Sequence, residues 1–519
     1  MSDRIYIYDT TLRDGAQTEG ISFSLGDKDI ITGLLDDFGM DFIEGGMPAS
    51  NPKDKEFFSV DRELKKSKMV AFGSTCRPNH RADEDEGLRI LLESKTEWAC
   101  IFGKAWDFHV TEALNTTLEE NLRMIRDSIS FLKDNGKKVI FDAEHFFDGY
   151  RANENYAMDV IDAAAKGGAE WIVLCDTNGG SLPSYIGKVV AKVREAFPRI
   201  GIHCHNDSDL AVACSLVAVE NGATMVQGTV NGIGERCGNA NLCSVIPDLR
   251  FKMGYDMPMD LGDLRSLSYS VSESANTRHL AHMPYVGDKA FTHKGGMHVS
   301  ALMKDPATYE HVSPESVGNH RNIVISDMSG KSNVLKKLSD LGIAANKSDV
   351  DRVLARVKEM EAQGYQFEIA DASFKLLVER VLDKESRPFD IRGFRLNIDG
   401  VGTTQLISEA SIKIADKLGE IEHTAADCEG PVNALDRALR KALSKFYPDI
   451  ISKVRLTDYK VRVIDENCGT ESWVRVLIKS TDGKSTWSTI GVSENVVEAS
   501  LIALADSYEY AILAEQKRS

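Results

Sequence analysis

The sequence predicts a (β/α)8 TIM barrel, followed by helical linker subdomains and a C-terminal α+β domain. Three observations carry this expectation. Between residue 4 and about 252, eight short β-type runs alternate with helical patterns, which calls for parallel strands joined by crossover helices. Eight such units in about 250 residues suit a closed barrel, and the first strand lacks the Gly-rich turn of an open dinucleotide-binding sheet. Near the C-terminus, β-rich runs return in two similar stretches, each ending in a helix.

The expected barrel strands are, in order, IYIYD (5–9), DFIEGG (41–46), MVAFGST (69–75), WACIFG (98–103), KVIFDAE (138–144), WIVLCDT (171–177), GIHCH (201–205) and MVQGTVN (225–231). Amphipathic stretches separate them, among them DIITGLLDDFG, LEENLRMIRDSISFLKDNG, YAMDVIDAAAKGG and LAVACSLVAVENG. Each ends in Gly, where a helix C-cap wants it. Residues 1–262 are therefore expected to form the barrel and 263–388 the helical linker subdomains, with Ser386-Arg387-Pro388 as a linker. SGKS at 329–332 fails as a phosphate loop, because Ile325 stands where that motif needs Gly. In the tail, 389–519, the runs FRLNIDG, EASIKIADKLG, YKVRVID and ESWVRVLIKS, with their two following helices, read as two imperfect β-β-α repeats.

The formal net charge of −17 argues against a nucleic-acid surface, which needs clustered Lys and Arg. An anionic substrate would need a local cation. No apolar run reaches the ~18 residues of a membrane span, and the N-terminus lacks the pattern of a signal peptide. Nine cysteines without a C-x-x-C pair read as reduced thiols in a cytoplasmic protein.

Residues at the C-terminal ends of barrel strands share one mouth, and these ends are polar. The first loop carries Arg13, Asp14 and Gln17; strand 2 carries Glu44, strand 5 Glu144, strand 6 Thr177, and the loop after strand 8 Asn239. On strand 7, His203 and His205 are two apart and so point the same way, into the mouth, with Cys204 towards the helices. Two imidazoles with a carboxylate such as Asp14 make a divalent-metal set with open positions. The competing reading is a hydrogen-bonded histidine at a loop boundary.

YDTTLRDGAQ (8–17), HCHND (203–207), NGIGERCGNANL (231–242) and HKGGMHVSA (293–301) together resemble the 2-isopropylmalate, homocitrate and citramalate synthases, metal-dependent acyl-CoA condensing barrels. GKAWDFHVTEAL (103–114) and DAEHFFDGY (142–150) look most like the citramalate branch. The resemblance implies a metal (Zn, Mn, Co or Mg) held by Asp14, His203, His205 and Asn239. It implies a keto acid held by Arg13 and Thr177, with Gln17 and Glu44 as further substrate-site candidates. It also implies a catalytic Glu144 and a His298–Tyr309 pair that a partner subunit can deliver. Ala16 departs from relatives that often carry Glu there. The expected reaction condenses acetyl-CoA with pyruvate: a base removes a methyl proton, the enolate attacks the polarised carbonyl, and thioester hydrolysis follows. The expected assembly is a homodimer with shared sites, inhibited by an amino-acid effector, isoleucine, bound to the tail. The rival readings are a larger keto acid, a lyase running in reverse, and a non-catalytic effector sensor.

Overall fold

The computed structural model of the chain describes residues 4–324, 331–382, 387–400, 406–464 and 472–518. Ser329 and Gly330 of the SGKS run, Ser386 of the expected linker, and Cys468 lie outside the described residues.

Eight parallel strands close into a barrel in sequence order: β1 (Tyr6–Asp9), β2 (Phe42–Gly46), β3 (Lys68–Ser74), β4 (Trp98–Lys104), β5 (Lys138–Glu144), β6 (Trp171–Asp176), β7 (Ile200–Cys204) and β8 (Met225–Gly228). Tyr8 lies opposite Phe42 on one side and Gln227 on the other, so β1 bridges β2 and β8 and leaves no edge. Strands covered on both faces read as nearly continuous apolar runs, and their residues divide by parity. Val70, Phe72, Cys100, Val173 and Cys175 fill the barrel interior. Ala71, Ile101, Ile172, Leu174 and Cys204 pack outward with the helices. Tyr6, Phe42, Trp98 and Trp171 pack edge-on at the N-terminal ends, with centroids 5.0 Å apart for Tyr6–Trp171 and for Phe42–Trp98. They form a rigid apolar floor and leave the opposite end to polar residues. Helix boundaries follow local chemistry: Ser24 and Asp27 make a reciprocal capping box for Leu25–Phe38, and Thr117 caps Leu118–Asp134.

The chain divides into two compact units. One runs as far as Phe291 and includes Val312–His320; the other comprises Thr292–His311 and the chain from Arg321 on. The second unit begins with a parallel pair, β9 (Thr292–His293) and β10 (Asn322–Ile323), and the helices Gly296–Leu302, Lys331–Asp340, Lys347–Ala362 and Asp371–Val381. Two α+β repeats follow, each with one strand more than expected from the sequence. The first is β11 (Phe389–Gly400), β12 (Leu406–Asp416), β13 (Ile421–Cys428) and the helix Pro431–Phe446. The second is β14 (Arg455–Val463), β15 (Val474–Thr481), β16 (Thr486–Ser493) and the helix Val496–Arg518. Each antiparallel sheet is three-stranded, so the units are β-β-β-α. The extra strands escape hydrophobic patterning. In β13 only Thr424 is buried, and in β16 the buried positions include Thr489 and Ser493. Thr424 and Thr489 hydroxyls donate to the Ala438 and Ala503 carbonyls of the following helices, which satisfies polar groups inside the layer. Among the described residues no helix is long and apolar enough to cross a membrane.

Candidate active site

The turn after β1 is shaped by Asp9. Its carboxylate accepts from the Thr11 amide at 3.0 Å and the Thr11 hydroxyl at 2.8 Å. That hydroxyl accepts in turn from Val230 N at 2.9 Å, tying the turn to the segment after β8. Burial pushes the Asp9 carboxyl up to about 7. The turn then presents Arg13 and Asp14 at the barrel mouth.

Asp14, His203 and His205 are all buried, and one ligand atom from each lies within 4.8 Å of the others. Asp14 Oδ2 is 3.7 Å from His203 Nε2 and 3.9 Å from His205 Nε2. Burial alone would raise Asp14, but Arg13 and both imidazoles hold it well below the usual carboxylate range. Burial, with His205 alongside, pulls His203 down to about 3; burial also lowers His205. At neutral pH the set is thus one carboxylate and two neutral imidazoles, the forms a divalent cation requires.

Asn239 donates from Nδ2 to Asp14 Oδ1 at 2.9 Å, and its buried Oδ1 has no hydrogen-bond partner among the described residues. Two glycines make room for it. A Cβ on Gly234 would come within 2.1 Å of Asn239 Nδ2, and one on Gly238, where φ is +89°, within 2.0 Å of the Gly232 carbonyl oxygen. The Gly-rich run after β8 is therefore shaped to bring Asn239 against Asp14.

Arg13 donates from Nε to Glu44 at 2.5 Å and from Nη1 to Asp14 at 3.0 Å, with its guanidinium over the Phe72 ring at 3.9 Å. Glu44 is fully buried and also accepts from Tyr8 at 2.6 Å and Thr10 at 2.5 Å. It sits beneath Arg13 and holds it. Glu144 is ion-paired with Lys104. The Thr177 hydroxyl accepts the His145 amide at 2.8 Å, which leaves its own hydrogen free to donate. His145 reaches that position through a left-handed backbone, φ 58°. Arg13, Asp14, Gln17, Glu144, Thr177, His203 and His205 line one cavity of about 540 Å³, walled by Phe72 and Phe102 stacked at 5.6 Å. His298 and Tyr309 lie in the second unit, both exposed, with their rings stacked at 4.2 Å.

Sequence reasoning gave no role to Asp142, which lines this cavity, or to Gln227, which is fully buried behind it. Gln227 Nε2 donates to Asp142 Oδ1 at 2.9 Å, and Gln227 Oε1 is 2.9 Å from His203 Nδ1. Strand parity could have found Gln227. Met225 fills the interior, so the residue two along points inward as well. Lys104, at the end of β4, follows from the same count.

Comparison with known proteins gives a consistent answer over the whole chain. The HMGL-like family profile matches residues 4–271. A homocitrate synthase post-HMGL domain-like profile matches 285–365, and a LeuA allosteric (dimerisation) domain profile matches 368–512. The (R)-citramalate synthase of Aquifex aeolicus is 51% identical over 526 residues, covering 100% of this chain and 99% of that protein. That of Synechocystis is 48% identical over 527 residues, covering 98% and 96%. A probable 2-isopropylmalate synthase of Methanopyrus kandleri is 32% identical over 510 residues, covering 97% of each.

Proposed function

The chain belongs to the HMGL-like family, and on that footing we propose that it condenses acetyl-CoA with pyruvate. Acetyl-CoA, pyruvate and water would give (R)-citramalate and free CoA. The observation that carries this reading is the single cavity in which Arg13 sits beside Asp14, His203 and His205 under the Phe72–Phe102 stack. Full-length similarity to (R)-citramalate synthases supports the choice of product.

The donor set fits a divalent cation held by Asp14, His203, His205 and Asn239: buried, correctly charged, and with the Asn239 oxygen unpartnered among the described residues. When bound, the cation supplies Lewis-acid polarisation of a keto oxygen. Zn, Mn, Co and Mg all suit such ligands. The remaining chemistry falls to the chain. Arg13, kept protonated by Glu44 and Asp14 despite burial, binds the substrate carboxylate and the oxygen that gains charge in the addition. The Thr177 hydroxyl donates to a second substrate oxygen, and Glu44 holds Arg13 in register. Glu144, with Lys104 beside it, takes part in proton transfer at the acetyl methyl group. Gln17 lines the entrance. Phe72 and Phe102, stacked at 5.6 Å, form an apolar wall beside these groups, against which the keto-acid side chain would lie.

We divide the functions as catalysis in 1–262, linkage in 263–388 and regulation in 389–519. The match to a LeuA allosteric (dimerisation) domain supports a homodimer. On β14, Tyr459, Val461 and Val463 alternate on one face and are exposed, as a dimer contact would want. In that assembly a partner subunit supplies His298 and Tyr309 to the cavity, and isoleucine is the effector of the C-terminal repeats. The reaction belongs to the cytoplasm, where acetyl-CoA and keto acids meet.

Thiol release from acetyl-CoA, measured with pyruvate, 2-ketoisovalerate and 2-ketoglutarate in turn, tests the substrate. Pyruvate should give the highest kcat/KM. A clear preference for either larger acid would overturn the assignment.

A further inference from the structure

We propose that Gln227, anchored by Asp142, is a positioning residue that fixes His203 in the tautomer whose Nε2 lone pair faces Asp14. The inference rests on the reading of Asp14, His203 and His205 as metal ligands, and it concerns how the chain prepares one of them.

The argument is one of donors and acceptors. An amide side chain has one accepting end and one donating end. Asp142 Oδ1 accepts from Gln227 Nε2 at 2.9 Å, which engages the donating end of Gln227. The accepting end, Oε1, is thereby turned to His203 Nδ1 at 2.9 Å. A neutral imidazole carries a single N–H, and here it must sit on Nδ1. Nε2 then presents its lone pair, 3.7 Å from Asp14 Oδ2. All three side chains are buried, Gln227 completely, so water does not compete for these bonds. The partner of one ring nitrogen decides which nitrogen is free to bind a metal.

The chain treats the two histidines differently. His205 Nδ1 is buried with no hydrogen-bond partner among the described residues, so nothing comparable sets its tautomer. The connection also spans the barrel. Asp142 is on β5, Gln227 on β8 and His203 on β7, so three strands orient one imidazole.

Metal-stripped full-length protein titrated with Co2+ against a chromogenic chelator supplies the test. Gln227→Met keeps the side-chain length and removes the acceptor, and it should weaken Co2+ binding about 10–100-fold. Gln227→Glu keeps an acceptor at His203 Nδ1, with one proton shared between the new carboxyl and Asp142, and should recover part of that loss, which a merely space-filling role would not produce. Unchanged Co2+ affinity in a folded Gln227→Met protein would overturn the proposal. A second arm needs no variant at position 227. In 15N-histidine-labelled wild-type protein, the His203 signal, identified by its loss in His203→Ala, should show a protonated Nδ1 and an unprotonated Nε2. The reverse pattern would overturn the proposal even if Gln227→Met fails to fold. Absence of Co2+ uptake by the wild type would instead defeat the metal reading, and the tautomer would still be decided by the nitrogen spectrum.

Discussion

Asp14 keeps its charge inside a buried pocket because the Arg13 guanidinium and the Asn239 amide sit against it, and this balance makes the site responsive to single changes. His203→Ala or His205→Ala should lose stoichiometric metal and activity together while the far-ultraviolet circular dichroism is retained. Each truncation opens the cavity floor to water and leaves the packed wall intact. Full metal content in either variant would contradict the ligand assignment. A second prediction concerns Asp9, which is completely buried and raised from 3.8 to about 7 chiefly by burial. A raised folded-state value means that the native chain binds the proton longer than the unfolded one. The contribution to stability is full below the unfolded value and falls as pH rises towards 7. Asp9→Asn removes that slope, so denaturation from pH 5 to 8 should shift the stability difference in the variant's favour by ~2–3 kcal/mol. A pH-independent difference would contradict it. Of the residues involved, the H-x-H pair and the R-D-G acid were legible because parity and loop position mark them. The Asp142–Gln227 link was not, since it joins residues 85 apart in sequence and depends on how the barrel closes.

Loops after the strands determine whether these side chains meet. The segment after β8 was expected as strand to residue 231. Instead β8 stops at Gly228, and Asn231 turns with φ 66° as the chain folds back towards Asn239. The sequence run MVQGTVN carries the β propensity, but the bridge from Thr229 to Asn241 ends the strand, a tertiary pairing that a local pattern does not contain. Gly238→Ala should therefore act on the site as well as on the fold. Its Cβ would strike the Gly232 carbonyl in a left-handed backbone, costing more than ~1 kcal/mol and displacing Asn239. Thermal denaturation and metal titration should both move; normal metal affinity in this variant would show that the loop does not position Asn239. The barrel strands were readable because apolar runs between capped helices are strong signals. β13 was missed because its one buried position is Thr424, and β16 because Thr489 interrupts the apolar set of Trp487, Ile490 and Val492; the following helices' carbonyls accept from both threonine hydroxyls.

At the scale of the whole molecule, the account requires two chains and a responsive C-terminal part. Mixing inactive His298→Ala with inactive His203→Ala under subunit exchange should restore partial activity, because one of the mixed sites then has every group. No recovery in demonstrated heterodimers would mean that each chain is self-sufficient. Isoleucine should inhibit the full-length protein, and removal of residues 389–519 should abolish that inhibition; a coupling of ~1–3 kcal/mol corresponds to a ~5–150-fold change. The division into barrel, helices and repeats was visible in the sequence as a change of periodicity, whereas the alternation of Tyr459, Val461 and Val463 reads in the sequence only as a strand and does not mark the proposed dimer contact. The most direct measurement follows the carbon itself. Metal-stripped protein is incubated with methyl-13C acetyl-CoA and pyruvate, before and after a divalent cation is restored, and the product is read by NMR. The account predicts 13C in the methylene of citramalate, with free CoA in equal amount, only after metal is restored. CoA release without a new carbon–carbon bond, or citramalate formed equally well by His203→Ala, would contradict it.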